Sequence, residues 1–253
     1  SFPTRRSSDL EFDPQLLETM LFARTAFIDL LQNREYSLHD RLVNVLSATA
    51  EIQYALDEED TEEIKAIAQE LSHPEIIAER VESLKKALPE KPLENAENML
   101  LYLERLDFIG DILPQQIKDA SRFVKKLSAP LKAQTSGEYE KQAVYFVYRY
   151  FLKAVRDFDL LSKIKAMIVF VFAAEVINLS REQDAHARFE TVKELCKEIE
   201  YSGDNMDRIY DDSYLSDIFS DTSMLALLEW TLVDRKSTRL NSSHITISYA
   251  VFC

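Results

Sequence analysis

Glycine is almost missing from this chain. Its three copies, Gly110, Gly137 and Gly203, cannot form a glycine-rich phosphate loop and are too few for a turn-rich sheet fold. Cysteine is scarcer still, with Cys196 and a second at position 253, so no pair has metal-ligand spacing. There is no H-E-x-x-H and no nucleophile elbow. Long hydrophobic runs are also absent. The most apolar stretch, "LLSKIKAMIVFVFAAEVINL" (160–179), is broken by Lys163, Lys165 and Glu175, whereas a bilayer needs roughly 20 apolar residues in succession. Positive charge is short as well: 30 Lys and Arg against 44 Asp and Glu give a net charge of −14. Such a surface repels phosphate backbones, so neither nucleic acid nor a membrane is an expected partner.

The two ends read unlike everything between them. "SFPTRRSSDL" (1–10) and "DRKSTRLNSSHITISYAVFC" (234–253) each back-translate to what resembles a short-read sequencing adapter, and both are expected to be adapter-derived and not native. Setting them aside removes five of the 30 basic and two of the 44 acidic residues, leaving a net charge of −17. One cysteine then remains, which permits no internal disulfide and fits a reducing cytoplasm. On this reading residues 11–233 are a fragment of a longer protein.

The chain is rich in helical punctuation. Pro14 follows Asp13 and opens a helix with Leu17, Leu21, Ile28 and Leu31 at helical spacing; Ser37 opens a second with Leu38, Leu42, Val45, Leu46, Thr49, Ile52 and Leu56 on one face. Shorter helices from Thr61 and Pro74 form the most polar part, expected to be a solvated arm. A longer helix is predicted over 94–113, with Pro114 starting the next. "SAPLKAQTSG" (128–137) is the most loop-like interval and the expected boundary between an N-terminal helical part, 11–127, and a C-terminal helical core, 138–233. That core holds helices over 138–157, 160–179 and 181–201. The last is predicted to open with a Ser180/Gln183 capping box, to close on Gly203, and to show Phe189, Val192, Leu195 and Ile199 inward with Glu190, Lys193, Glu194, Lys197 and Glu198 in water. The expected fold is all-α, a multi-helix bundle of antiparallel helices with a central buried helix near 160–179.

Chemistry is harder to locate. His39, His73 and His186 read as surface residues, and no metal site is expected within the fragment. Cys196 lies beside an apolar stripe and reads as a packed thiol. Arg24 falls between Leu21 and Ile28, where an arginine needs a pairing partner or a ligand. "EYEKQAVYFVYRYF" gathers Tyr139, Tyr145, Tyr148 and Tyr150 around Arg149. Aromatic faces with nearby carboxylates can hold a lysine ammonium; the favoured alternative is tyrosines filling a core with their hydroxyls at its rim.

Three stretches, "LLQNREYSLHDRL" (30–42), "YRYFLKAVRDFDLLSKIK" (148–165) and "CKEIEYSGDNMDRI" (196–209), together resemble the C-terminal helical region of bacterial flagellin lysine-N-methylases, over about residues 22–210. The resemblance implies methyl transfer from S-adenosylmethionine to flagellin lysines, with flagellin as partner. It also implies a cysteine-rich N-terminal region, of C-x-x-x-C-x-x-C-C type, that binds a metal or an iron–sulfur cluster and packs against this fragment. No such motif is present here, so the fragment is expected to be inactive alone. No catalytic residue carries over. Candidates for substrate or interdomain contact are Arg24, Tyr148, Arg149, Asp157, Asp159, Glu200, Asn205 and Asp207, each of which could equally serve as a cap or an ion pair. The competing function is a noncatalytic acidic helical protein-interaction module.

Overall fold

A computed structural model describes residues 13–86, 91–131, 137–181 and 184–230. The expected adapter-derived ends and the position of Gln183 lie outside these. Among the described residues all regular structure is helical, with no strand, so the fold is all-α.

Helix α1 (Pro14–Gln32) starts as expected: the Asp13 carboxylate accepts from the Gln15 amide, and Pro14 occupies the first turn, where no amide is missed. Its inward face differs from the predicted stripe. Leu16, Met20, Ala23, Phe27, Leu30 and Leu31 are buried, while Leu21 is exposed. Two adjacent apolar stripes compete on this helix, and the one carrying Phe27 wins because its ring meets that of Phe151 edge-on at 5.0 Å. Helix α2 (Leu38–Asp57) is capped by the Ser37 hydroxyl and buries every residue of its predicted face, while Glu51 and Tyr54 point outward. Helices α3 (Thr61–Glu70) and α4 (Pro74–Lys85) are not a solvated arm. Ile64, Ile67 and Ala68 seat α3 against α1 and α2, and Ile77 and Val81 seat α4 on α2. A narrow apolar stripe on a polar helix suffices to dock it.

The helix predicted over 94–113 is shorter, α5 (Pro92–Leu103), and the next, expected from Pro114, begins two residues earlier as α6 (Ile112–Val124); a segment that later elements hold joins them. Helix α7 (Gly137–Tyr150) passes through a 3-10 turn, 151–153, into the single turn α8 (Ala154–Asp157). The next helix, α9 (Leu161–Arg181), is the central one: every residue from Ser162 to Asn178 is buried. It touches α2, α6 and α7, and its surround is completed by α10 (Ala185–Leu195), α11 (Gly203–Leu215) and α12 (Asp221–Leu228). Trp230 is fully buried beside Phe172 of α9, with ring centroids 6.2 Å apart. Contacts between α1 and α7, α2 and α9, and α6 and α9 cross the 128–137 interval.

Both predicted ends of the 181–201 helix need correcting. Ser180 lies inside α9, its hydroxyl donating to the Ile177 carbonyl, and Asp184 is the residue that caps α10 by accepting from the Ala187 amide. Gly203 does not close a helix but opens α11, with Ser202 as its cap. Between α10 and α11 the chain forms a π turn over Cys196–Glu200. The wider turn holds one residue more than an α turn and so rotates the residues after it. Glu198, expected in water, is buried; Phe189, expected inside, is exposed.

Candidate functional site

The site begins where α8 ends. Phe158 takes a left-handed backbone, φ 55°, a conformation costly for an aromatic residue and one that needs support from its surroundings. Gln53 of α2 supplies it. Its carboxamide oxygen accepts from the amides of Leu160 (2.8 Å) and Leu161 (3.0 Å), and its nitrogen donates to the Phe158 carbonyl at 2.8 Å. This reversal places Asp157 and Asp159 at the start of the central helix. Asp159 accepts from the Ser162 amide (3.0 Å) and from the Ser162 hydroxyl, capping α9.

One turn on, Lys163 is buried, with 3% of its side chain exposed, and its ammonium lies 2.8 Å from Asp157 Oδ2 and 2.9 Å from Asp159 Oδ2. The same ammonium sits 5.0 Å from the centre of the Tyr210 ring. Tyr214 donates its hydroxyl proton to Asp159 Oδ1 at 2.7 Å. Burial alone would raise the Asp159 carboxyl; the bonds from Ser162, Tyr214 and Lys163 outweigh it and hold the group below its ordinary value.

The second part is built by the end of α7 and the π turn. The hydroxyls of Tyr145 and Tyr150 both donate to Glu200 Oε1, at 2.7 and 2.6 Å. Arg149 lies between rings, its guanidinium carbon 5.7 Å from the centre of Tyr145 and 5.5 Å from those of Tyr150 and Tyr201. Its Nε is 3.4 Å from Glu200 Oε1. The Glu200 side chain is wholly buried, and its Oε2 has no hydrogen-bond partner among the described residues. An α-helical continuation from Leu195 would point Glu200 elsewhere; the π turn is what aims it at α7.

Tyr210 joins the two parts. Burial first, and then the charges of Asp159, Asp157, Asp207 and Glu200, push its phenol above the ordinary tyrosine range. Asp157 and Asp159 meet at the Lys163 ammonium, which sits over that ring. The result is an acidic, tyrosine-lined face at one end of the central helix.

The other candidates fall elsewhere or do something else. Arg24 stacks 5.1 Å over Tyr148 and meets no carboxylate among the described residues, so the expected ion pair is replaced by a cation–π pair between α1 and α7. Asn205 is a clamp: its oxygen accepts from the Asp107 amide, and its nitrogen donates to the carbonyls of Asp107 (2.6 Å) and Glu198 (2.9 Å). Glu198 completes that clamp by accepting from the amides of Ile109 (2.7 Å) and Gly110 (3.2 Å). Asp207 is exposed and reaches the site through its charge. Sequence reasoning did not single out Lys163, Tyr201, Tyr210, Tyr214 or Gln53. The spacings were available: Lys163 lies four residues after Asp159, and Tyr210 and Tyr214 share a helix face. His39 was misplaced on the surface. It is buried, with Nδ1 3.1 Å from Asp40 and Nε2 3.4 Å from Glu229.

Among the described residues no group of three or more His, Cys, Asp or Glu side chains could hold a metal ion, and no helix is long and apolar enough to cross a membrane.

Fold and site together define an all-α domain that carries carboxylates beside tyrosines near the start of its central helix. The family model for the FliB lysine N-methylase C-terminal domain matches residues 24–227, and the chain belongs to that family. No curated protein and no solved structure matches it.

Proposed function

We propose that this chain is the flagellin-holding domain of an S-adenosylmethionine-dependent protein-lysine N-methyltransferase, acting in the cytoplasm. Asp157 and Asp159 gathered around Lys163 over the Tyr210 ring, with Tyr214 on Asp159 and Tyr145 and Tyr150 on Glu200, support this reading. Carboxylates flanked by tyrosine rings attract an alkylammonium by charge and by cation–π contact, and they do so selectively over anionic partners. A lysine-bearing flagellin surface is the matching partner.

The residues at hand do not fit the methyl donor or a cluster. Three glycines, far apart in the chain, make no glycine-rich loop for the donor, and no set of metal ligands occurs among the described residues. We propose, on the family resemblance, that S-adenosylmethionine and any metal or iron–sulfur cluster are held by a cysteine-rich region, and derive no step of methyl transfer here. In this division of labour the domain orients the substrate and is inactive alone.

The test combines the chain with flagellin, S-adenosylmethionine and, in a second arm, a cysteine-rich upstream region. Methylated flagellin is expected only in the second arm. Replacing the two more exposed carboxylates, Asp157→Asn with Asp207→Asn, is expected to weaken flagellin binding about tenfold. Methyl transfer by the chain alone, or binding unmoved by the double replacement, would refute the assignment.

A further inference from the structure

Three tyrosine rings around one cation, with a buried carboxylate beneath, is the composition of a receptor for alkylated ammonium groups. Here the cation is the protein's own Arg149. We propose that Tyr145, Tyr150 and Tyr201, floored by Glu200, form a binding cage for methylated ammonium ions, and that Arg149 is a removable plug in it.

The walls do not depend on the plug. Tyr145 and Tyr150 are fixed by their own hydroxyl bonds to Glu200 Oε1, and Glu200 is fixed in turn by the π turn. The plug is held by the three rings, by a hydrogen bond to the Tyr150 hydroxyl and by Glu200 at 3.4 Å, yet 42% of its side chain is exposed, so its guanidinium lies at the rim and not in the core. Its head can therefore leave without opening the core. Tyr201, itself 49% exposed, forms the outer lip. Lys153 also lies over the Tyr150 ring, its ammonium 4.6 Å from the centre.

Glu200 sets the ligand class. Its unpartnered Oε2 is buried, and an anion so placed gains from a nearby positive charge even when that charge donates no hydrogen bond. A methylated ammonium suits such a site better than a bare one, because it sheds its water more readily and spreads its charge over methyl groups that lie flat on the rings. A plug that holds the cage in most molecules lowers the apparent affinity by the fraction of time that the cage is open.

The test is ligand-observed NMR titration of tetramethylammonium and choline against the full chain, with 3,3-dimethyl-1-butanol, the neutral isostere of choline, as control. The wild-type chain is expected to bind tetramethylammonium weakly and Arg149→Ala about tenfold more tightly. Tyr201→Ala on that background should abolish the gain, and the neutral isostere should show none. Circular dichroism checks that each variant is folded; if Arg149→Ala is not, Arg149→Met keeps the packed stem without the charge. The inference is overturned if folded Arg149→Ala or Arg149→Met binds no better than wild type, if the neutral isostere gains equally, or if neither variant folds, since Arg149 is then a structural staple. Flagellin binding, measured on the same samples, separates the two readings: intact binding with no gain for tetramethylammonium removes the cage and leaves the substrate-holding role standing.

Discussion

At the scale of the residue, the most informative side chains are the charged ones that the core has taken in. Arg41 is 1% exposed and is neutralised by Glu140 at 2.8 Å, while Arg34 reaches the same carboxylate from the surface. His39 is held in a comparable way by Asp40 and Glu229. Burial disfavours its charged form, but hydrogen bonds and charge from the two carboxylates outweigh that and raise its pKa above the ordinary 6.5. A raised pKa in the folded state means that protonation favours folding. The contribution is full below about pH 6.5 and is lost as pH rises through the folded-state value. By NMR, His39 is expected to titrate above the midpoints of model histidines, and Glu229→Gln is expected to lower its midpoint and flatten the loss of stability with rising pH. A His39 midpoint at or below about 6.5 in the wild-type chain would contradict this account.

At the scale of the element, the π turn at Cys196–Glu200 does more than any regular helix. It turns Glu198 toward the α5–α6 connection, where it accepts from the Ile109 and Gly110 amides, and turns Glu200 toward the tyrosines of α7. Gly110 lies so close that an added Cβ would stand 3.0 Å from Glu198 Oε1, so a larger residue there requires the Glu198 carboxylate to shift. Glu198→Ala is expected to speed hydrogen exchange at the Ile109 and Gly110 amides by roughly tenfold or more, the effect of losing a charge-assisted bond of about 1.5 kcal/mol. Glu190→Ala, on the outer side of α10, should leave those amides unchanged. Equal protection in both variants would show that the connection is held by Asn205 and packing alone.

At the scale of the whole molecule, α9 makes one core of elements far apart in sequence. Buried residues from Leu16 to Trp230 belong to a single hydrophobic cluster. The expected division at 128–137 into an N-terminal part and a C-terminal core can be tested with the sole tryptophan, Trp230, which reports on the last helices from its place against α9. Urea unfolding followed by Trp230 fluorescence and by circular dichroism is expected to give coincident curves, as one cooperative unit would. Separated midpoints would mean that the two parts fold independently.

The amino-acid sequence by itself determined the all-helical fold, most helix starts, the buried helix near 160–179 and the family. Those features rest on local signals: proline and capping residues, apolar periodicity, and the scarcity of glycine. Tyr145, Tyr150 and Arg149 could be picked out as a cluster on one helix, and Asp157 and Asp159 as neighbours in the chain. Tertiary structure alone decided which of two apolar stripes on α1 turned inward, that His39 was buried, and that Glu200 met Tyr145 and Tyr150. The physical reason is register. A single extra residue in the π turn rotates Glu198 and Glu200 by a fraction of a turn, and no local preference in "CKEIE" competes with the bonds that those two side chains make to α7 and to the 104–111 segment. Long-range hydrogen bonds chose the turn, and the turn made the site.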